Sequence, residues 1–492
     1  MSALLHRESL ETAAAFVRRR TGLVFGDSRR SAFAAAIETH ARRSAAGDIE
    51  AYLARLSVES ALLDDLVADI TVGETHFFRD TPQFDLIQNK VIPELLARRP
   101  ADRPLRIWSA GCATGEEAYT LAIVAHELGL GDAARIVATD LSRAALAGAR
   151  RGCYRRWSLR GVTPETEARY FEHHGDEFRF ARELRDAVEF RYLNLAEDTY
   201  PSLASGIWGM DLILCRNVLI YFDAATVARV VGRLVRSLAP DGWLLLGASD
   251  PLATEFVPVD AVITTAGLAY RRRGRGGASG EQTAGLGMAV LHTPPAASAE
   301  GATWEPRTVP PTGQDATAAP ALATAPAAAE VGTTYAAGEY ARAAELAGAR
   351  VLAGAAVAAE WVLLVRALAN CGALARAGAA CAAGLERHPL SAELLYMHGV
   401  LIGESGRPGD AVAALRRAIY ADGRFAVAHL ALGGQLQRMG DGGGARRAFR
   451  NAARLLDESP ADTVAPGSDG ARAGRLASLA RAQLALLQET AP

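Results

Sequence analysis

From Arg106 onward five short apolar runs follow one another: RIW at 106–108, RIVAT at 135–139, VEFRYL at 188–193, MDLILC at 210–215 and WLLLG at 243–247. Stretches with helical spacing separate them. Strands that alternate with helices pair in parallel, because each crossover uses a helix to carry the chain back, and the helices then cover both faces of the sheet. The spacing predicts an α/β, doubly wound sheet, closed by VITTAGLAYRRR (262–273) as a terminal antiparallel pair. At 492 residues the chain exceeds what one core organises, so further units flank this sheet.

Before the sheet, Ala35, Ile37, Leu53, Leu56, Leu62 and Leu66 recur at three- and four-residue spacing, which predicts a helical domain over 1–88. The sheet domain occupies 89–273. Residues 274–333 hold seven prolines among Ala, Gly and Thr and read as a disordered, extended linker. Beyond it a 34-residue period emerges: Gly399, Gly406, Ala411, Leu415 and Ala418 recur as Gly433, Gly440, Ala445, Phe449 and Ala452. Trp361, Gly372 and Ala377 stand one period earlier. Small residues where helices cross and Gly at the turn are similar to tetratricopeptide (TPR) repeats, which implies an all-α solenoid over 334–457. Residues 458–492 follow as a flexible segment and a capping helix from Arg475 to Glu489.

Composition bounds the partners. The 53 basic and 55 acidic side chains nearly cancel, which removes a charge-driven argument for nucleic acid. No apolar run reaches the roughly 18 residues of a membrane span, and the N-terminus lacks the order of a signal peptide. Five cysteines without CxxC spacing give neither a disulfide framework nor a zinc site. A cytoplasmic protein without membrane insertion or a metal is expected.

Chemistry concentrates after the first strand. RIWSA runs into GCATGEEAYTLAIVA, a glycine turn opening a helix, and the second strand ends in Asp140. In a doubly wound sheet Gly111 and Gly115 then let a ligand approach the backbone, and Asp140 accepts from ribose hydroxyls. Glu116 and Glu117 occupy the first helical turn, where a pyrophosphate would be repelled. S-adenosylmethionine, a nucleoside carrying a sulfonium and no phosphate, meets both constraints.

TVGETHFFRD (71–80), RIWSAGCATGEEAYTLA (106–122), ATDLS (138–142), LNL (193–195) and LILCRNVLIYFD (212–223) together resemble the CheR family of chemoreceptor glutamate methyltransferases. The resemblance covers roughly residues 1–273. It implies a Rossmann-like S-adenosylmethionine-dependent methyltransferase domain, a product S-adenosylhomocysteine, and chemoreceptor cytoplasmic helices as substrate. Thr75 and Arg79 would reach the cofactor, Gly111 would line its turn, Glu117 would hold the methionyl ammonium side and Asp140 the ribose. Asn194 and Leu195 would frame the adenine, Arg216 and Asn217 would line the pocket, and Tyr221 would sit beside the transferring methyl. Arg79 and Tyr221 are the expected catalytic pair. Gly73 stands where the family usually has Asn, so a cofactor hydrogen bond is either missing there or taken over by water.

The resemblance also implies a small β subdomain around DEFRFA, with His173 and His174 at its turn, and recruitment to membrane receptor arrays. Seven arginines between Arg18 and Arg43, against Asp27 and Glu38, form a patch suited to an acidic receptor helix. The TPR partner is unknown from sequence. Two alternatives stand beside this reading: a nitrogen methyltransferase, prompted by Asn217 and Tyr221, and a non-catalytic cofactor-binding scaffold acting through its repeats.

Overall fold

The computed structural model describes residues 2–44, 49–71, 74–99, 103–197, 200–203, 205–272, 290–291, 328–354, 357–371, 373–404, 406–468 and 470–488. Gly73, Gly372, Glu489 and most of the 274–333 linker lie outside them. The strands, in chain order, are β1 (Leu105–Ala110), β2 (Ala134–Asp140), β3 (Cys153–Arg155), β4 (Phe171–His174), β5 (Glu177–Phe180), β6 (Val188–Tyr192), β7 (Met210–Cys215), β8 (Leu238–Leu246), β9 (Val259–Thr264), β10 (Gly267–Arg272) and β11 (Val290–Leu291).

Eight strands form one sheet in the order β11-β9-β10-β8-β7-β1-β2-β6. The pairs from β8 through β6 are parallel, and β10 and β9 close the sheet in antiparallel fashion. Every residue of β1 and β7 is buried, which explains why those runs are mostly apolar without alternation; Arg106, Ser109 and Asp211 are the buried polar exceptions. The chain moves outward from β1 through β2 to β6, then returns to the other side of β1 as β7. Strand order therefore reverses between β1 and β7, where the carboxyl ends leave a crevice.

Four helices, Ser2–Thr21, Asp27–Arg43, Ile49–Val58 and Ser60–Ile70, gather a separate core around Val17, Phe33, Ile37, Tyr52 and Leu66. They are tied to the rim of the sheet, since Val24 N donates to Tyr221 O at 2.9 Å. The segment leading into the sheet is anchored by Phe77, which is fully buried and meets Tyr154 and Phe171 edge-on at 4.9 Å. The three strands β3-β5-β4 make the small antiparallel sheet around DEFRFA. His173 and His174 are the last residues of β4 rather than turn residues, because pairing with Phe178 and Glu177 carries the ladder to Gly175. His173 Nε2 lies 3.0 Å from Glu167.

The C-terminal region is helical, with Ala392–Glu404, Pro408–Ala421, Ala426–Arg438 and Gly442–Asp457 as consecutive antiparallel pairs. The 34-residue period has a steric cause. A Cβ on Gly399 would stand 2.7 Å from Leu415, and one on Gly433 would stand 2.6 Å from Phe449, so both crossings need glycine. Among the described residues no helix is long and apolar enough to cross a membrane.

Removing the Phe77 ring should leave a cavity under the segment that enters the site. Phe77→Ala is expected to cost about 3–5 kcal/mol in urea unfolding of the full chain; a loss below about 1 kcal/mol would mean the contact is not an anchor.

Candidate active site

β1 delivers the chain into a turn of left-handed residues, Gly111 at φ 79°, Ala113 at 47° and Gly115 at 92°. Gly111 N and Cys112 N both donate to Thr139 O, at 2.8 and 2.9 Å, so the turn is stitched to the end of β2. A Cβ on Gly111 would lie 2.4 Å from Val218, which follows β7. Glycine is needed there both for its φ and for the approach of the two strand ends.

Asp140, at the end of β2, accepts from Ala113 N at 2.8 Å and Ser142 N at 2.7 Å. Burial pushes its carboxyl above the ordinary range, against the pull of these backbone donors. The two acids of the helix Glu116–Glu127 diverge. Glu116 is buried, held by Thr114 Oγ1 at 2.6 Å, and burial raises its carboxyl. Glu117 faces the crevice, accepting from Ser109 Oγ and from Arg216 Nε, each at 2.6 Å. Arg216, at the end of β7, also donates to Arg79 O at 2.7 Å and to Gln83 Oε1 at 3.3 Å. This network joins β1, β7 and the entering segment.

Arg79 is partly exposed, and its guanidinium donates to Glu74 O at 2.7 Å. Asn217 takes φ 59°, held by Asp250: Oδ2 accepts from Asn217 N at 2.5 Å and Gly247 N at 2.9 Å, and Oδ1 from Leu219 N at 2.9 Å. Tyr221 ends the following 3-10 turn, half-buried, with the Arg29 guanidinium 4.3 Å over its ring; burial raises its phenol. The Asn194 side chain is turned toward the N-terminal helices, donating to Arg20 O at 3.0 Å and accepting from Ala196 N at 3.0 Å. Arg18 of the arginine-rich stretch pairs with Asp223 at 2.5 Å, which brings that stretch to the edge of the site.

Thr75, Arg79, Gly111, Glu117, Asp140, Asn194, Leu195, Arg216, Asn217 and Tyr221 all line one cavity of about 330 Å³ at the switch point between β1 and β7. Gly73 lies outside the described residues. Sequence reasoning missed Gln83 and Asp250. The only signal for Asp250 is its place just after an apolar strand run; for Gln83 there is none. One carboxylate, Asp140, faces the cavity from the end of β2, and a second, Glu117, from the helix start. That donor set suits a nucleoside with a positively charged tail and disfavours a phosphate.

Residues 73–264 match the family model for the CheR methyltransferase, SAM binding domain. Chemotaxis protein methyltransferase 1 of Pseudomonas aeruginosa is 34% identical over 267 residues, 52% of this chain and 95% of that protein. Chemotaxis protein methyltransferase Cher2 of Pseudomonas putida is 34% identical, over 48% of this chain and 88% of its own length. The chemotaxis protein methyltransferase of Vibrio parahaemolyticus is 33% identical, over 52% and 94%. With near-complete coverage of such relatives and a cavity lined as the motifs require, this chain belongs to the CheR family of chemotaxis protein methyltransferases and uses S-adenosylmethionine.

Proposed function

We propose that the chain is a protein-glutamate O-methyltransferase acting on the cytoplasmic helices of methyl-accepting chemoreceptors, at which it is recruited from the cytoplasm. The observation that carries this reading is the convergence of the described motif residues on one cavity, with Arg79 and Tyr221 both reachable from outside. When bound, S-adenosylmethionine supplies a sulfonium methyl that an ionised carboxylate can take by in-line displacement without a general base.

The work left to the protein is binding and orientation. The Asp140 carboxylate holds the ribose hydroxyls, with Leu195 and the backbone at Asn194 beside the base. Glu117, fixed by Arg216, faces the cationic end, and Thr75 closes the same wall. Asp250 acts through the backbone: by fixing Asn217 and Leu219 it sets where Tyr221 stands. Arg79 receives the acceptor carboxylate and Tyr221 hydrogen-bonds to it. Holding that oxygen in place lowers the barrier by several kcal/mol. The 274–333 span is not linker throughout: β11 (Val290–Leu291) joins the sheet beside β9 and a helix, Ala328–Ala336, starts within it. The division into 1–88, 89–273, 334–457 and 458–492 belongs to this proposal. So does the reading of the C-terminal hairpins as TPR repeats for protein interaction, supported by the matched glycine crossings at Gly399 and Gly433.

Incubation with labelled cofactor and receptor cytoplasmic fragments tests the acceptor: alkali should release the label as volatile methanol. Label that stays bound in base would point instead to a nitrogen acceptor and end the glutamate reading. Arg79→Ala should lower kcat/KM by about 100-fold or more while S-adenosylhomocysteine binding persists, as expected for a group acting on the acceptor. Turnover at the parent rate would remove that role. Asp140→Ala should abolish measurable binding of the product in calorimetry.

The Asp140 titration adds a pH dependence. A carboxyl whose folded value is raised holds its proton more tightly in the folded chain, so its ionisation costs stability as pH rises. Ligand binding runs the other way, because only the ionised form accepts from both hydroxyls. Affinity for S-adenosylhomocysteine should therefore fall on acidification, starting above the value of about 3.9 for a free Asp. Asp140→Asn should flatten that limb; an unchanged acid limb in this variant would place its origin elsewhere.

A further inference from the structure

We infer that the C-terminal helices are an intramolecular brace for the cofactor pocket: they clasp the open β6 edge of the sheet and so hold the Leu193–Glu197 turn that lines the pocket. β6 is the last strand on its side of the sheet, and an uncovered edge would present unpaired backbone groups. Helix Ala473–Gln488 lies against it. Arg475 of this helix donates to Glu197 at 2.8 Å, and Ser478 O and Gln483 Oε1 accept from Arg143 and Arg150 of the sheet domain at 3.2 and 3.4 Å.

A second contact is electrostatic. Arg106 and Arg135 stand at the starts of β1 and β2, and Glu404, only 5% exposed at the end of its helix, pairs with both, at 2.5 Å for Arg135. Within the sheet domain the guanidinium groups of Arg103, Arg135 and Arg191 share the carboxylates Asp211 and Glu189, and Arg106 donates to Asp211 through its backbone N–H. Glu404 supplies the third carboxylate. A guanidinium buried as deeply as Arg106, at 2% exposure, is costly without such a partner. Leu203 and Trp208, from the loop between β6 and β7, complete the contact by joining the apolar cluster of the C-terminal helices. One face of the helical array is thus occupied by this chain's own methyltransferase domain.

The clasp reaches the site through shared walls. Leu141 and Leu193 line both the 330 Å³ cofactor cavity and a cavity of about 770 Å³ where the N-terminal helices, β6 and the array meet. Leu193 N donates to Asp140 O at 3.1 Å, so the turn after β6 is bonded to the residue assigned to the ribose. Among the described residues, none of the array lines the cofactor cavity. Docking supports the wall and leaves the entrance clear, so undocking loosens the pocket rather than unblocking it.

Calorimetry with S-adenosylhomocysteine on the full chain tests this without any methyl acceptor, so its failure and failure of the glutamate reading are separate results. Glu404→Gln should weaken binding about three- to tenfold and Arg475→Glu about two- to threefold, each with faster amide exchange across 188–197. Adding Glu197→Arg to Arg475→Glu should restore affinity by exchanging the charges of the pair. Unchanged affinity in both single variants, or tighter binding in either, overturns the brace. If Glu404→Gln does not fold, the exposed Arg475–Glu197 pair alone decides the matter.

Discussion

The buried ion pair between Glu117 and Arg216 is the constraint on which the site depends. Its two partners come from the helix after β1 and the end of β7, on either side of the strand reversal, and Arg216 reaches on to Arg79 O and Gln83. Removing one partner of such a pair leaves a buried charge and costs about 3–5 kcal/mol, so the pair holds three chain segments in one register. It also sets the chemistry. An acid at the start of a helix spoils the ordinary anion site there, and the pocket turns to a cationic nucleoside instead.

Around this centre the wall is shared between units distant in sequence. Asn194 uses its side chain to reach Arg20 O, Val24 N bonds to Tyr221 O, and Arg29 lies over the Tyr221 ring. The N-terminal helices therefore help to build the pocket as well as the surface around it. The same arginines that read as a docking patch are drawn partly into the structure: Arg18 onto Asp223, Arg43 toward Asp69 at 4.0 Å. What remains for a partner is smaller than the run of charges suggests.

Much of the fold was legible because its causes are local. Strands buried on both faces are mostly apolar, so β1 and β7 announce themselves, and the crossings at Gly399 and Gly433 leave a periodic trace because any Cβ there would collide with Leu415 or Phe449. Asp250 and Gln83 were silent because their partners are backbone groups and one arginine brought near only by folding. Arg106 reads in sequence as the first residue of a strand, and nothing local says that a carboxylate almost three hundred positions on will cover it.

By itself the sequence determined the strand and helix alternation, the glycine turn, the carboxylate ending β2 and the exclusion of a phosphate ligand, since each follows from neighbouring residues and backbone geometry. Tertiary structure alone decided that Glu117 is held by Arg216, that Asn194 turns away toward the N-terminal helices, and that the C-terminal helices close on β6. Those outcomes depend on which charges are buried together, and the cost of leaving a buried charge unpaired is settled only when distant segments meet.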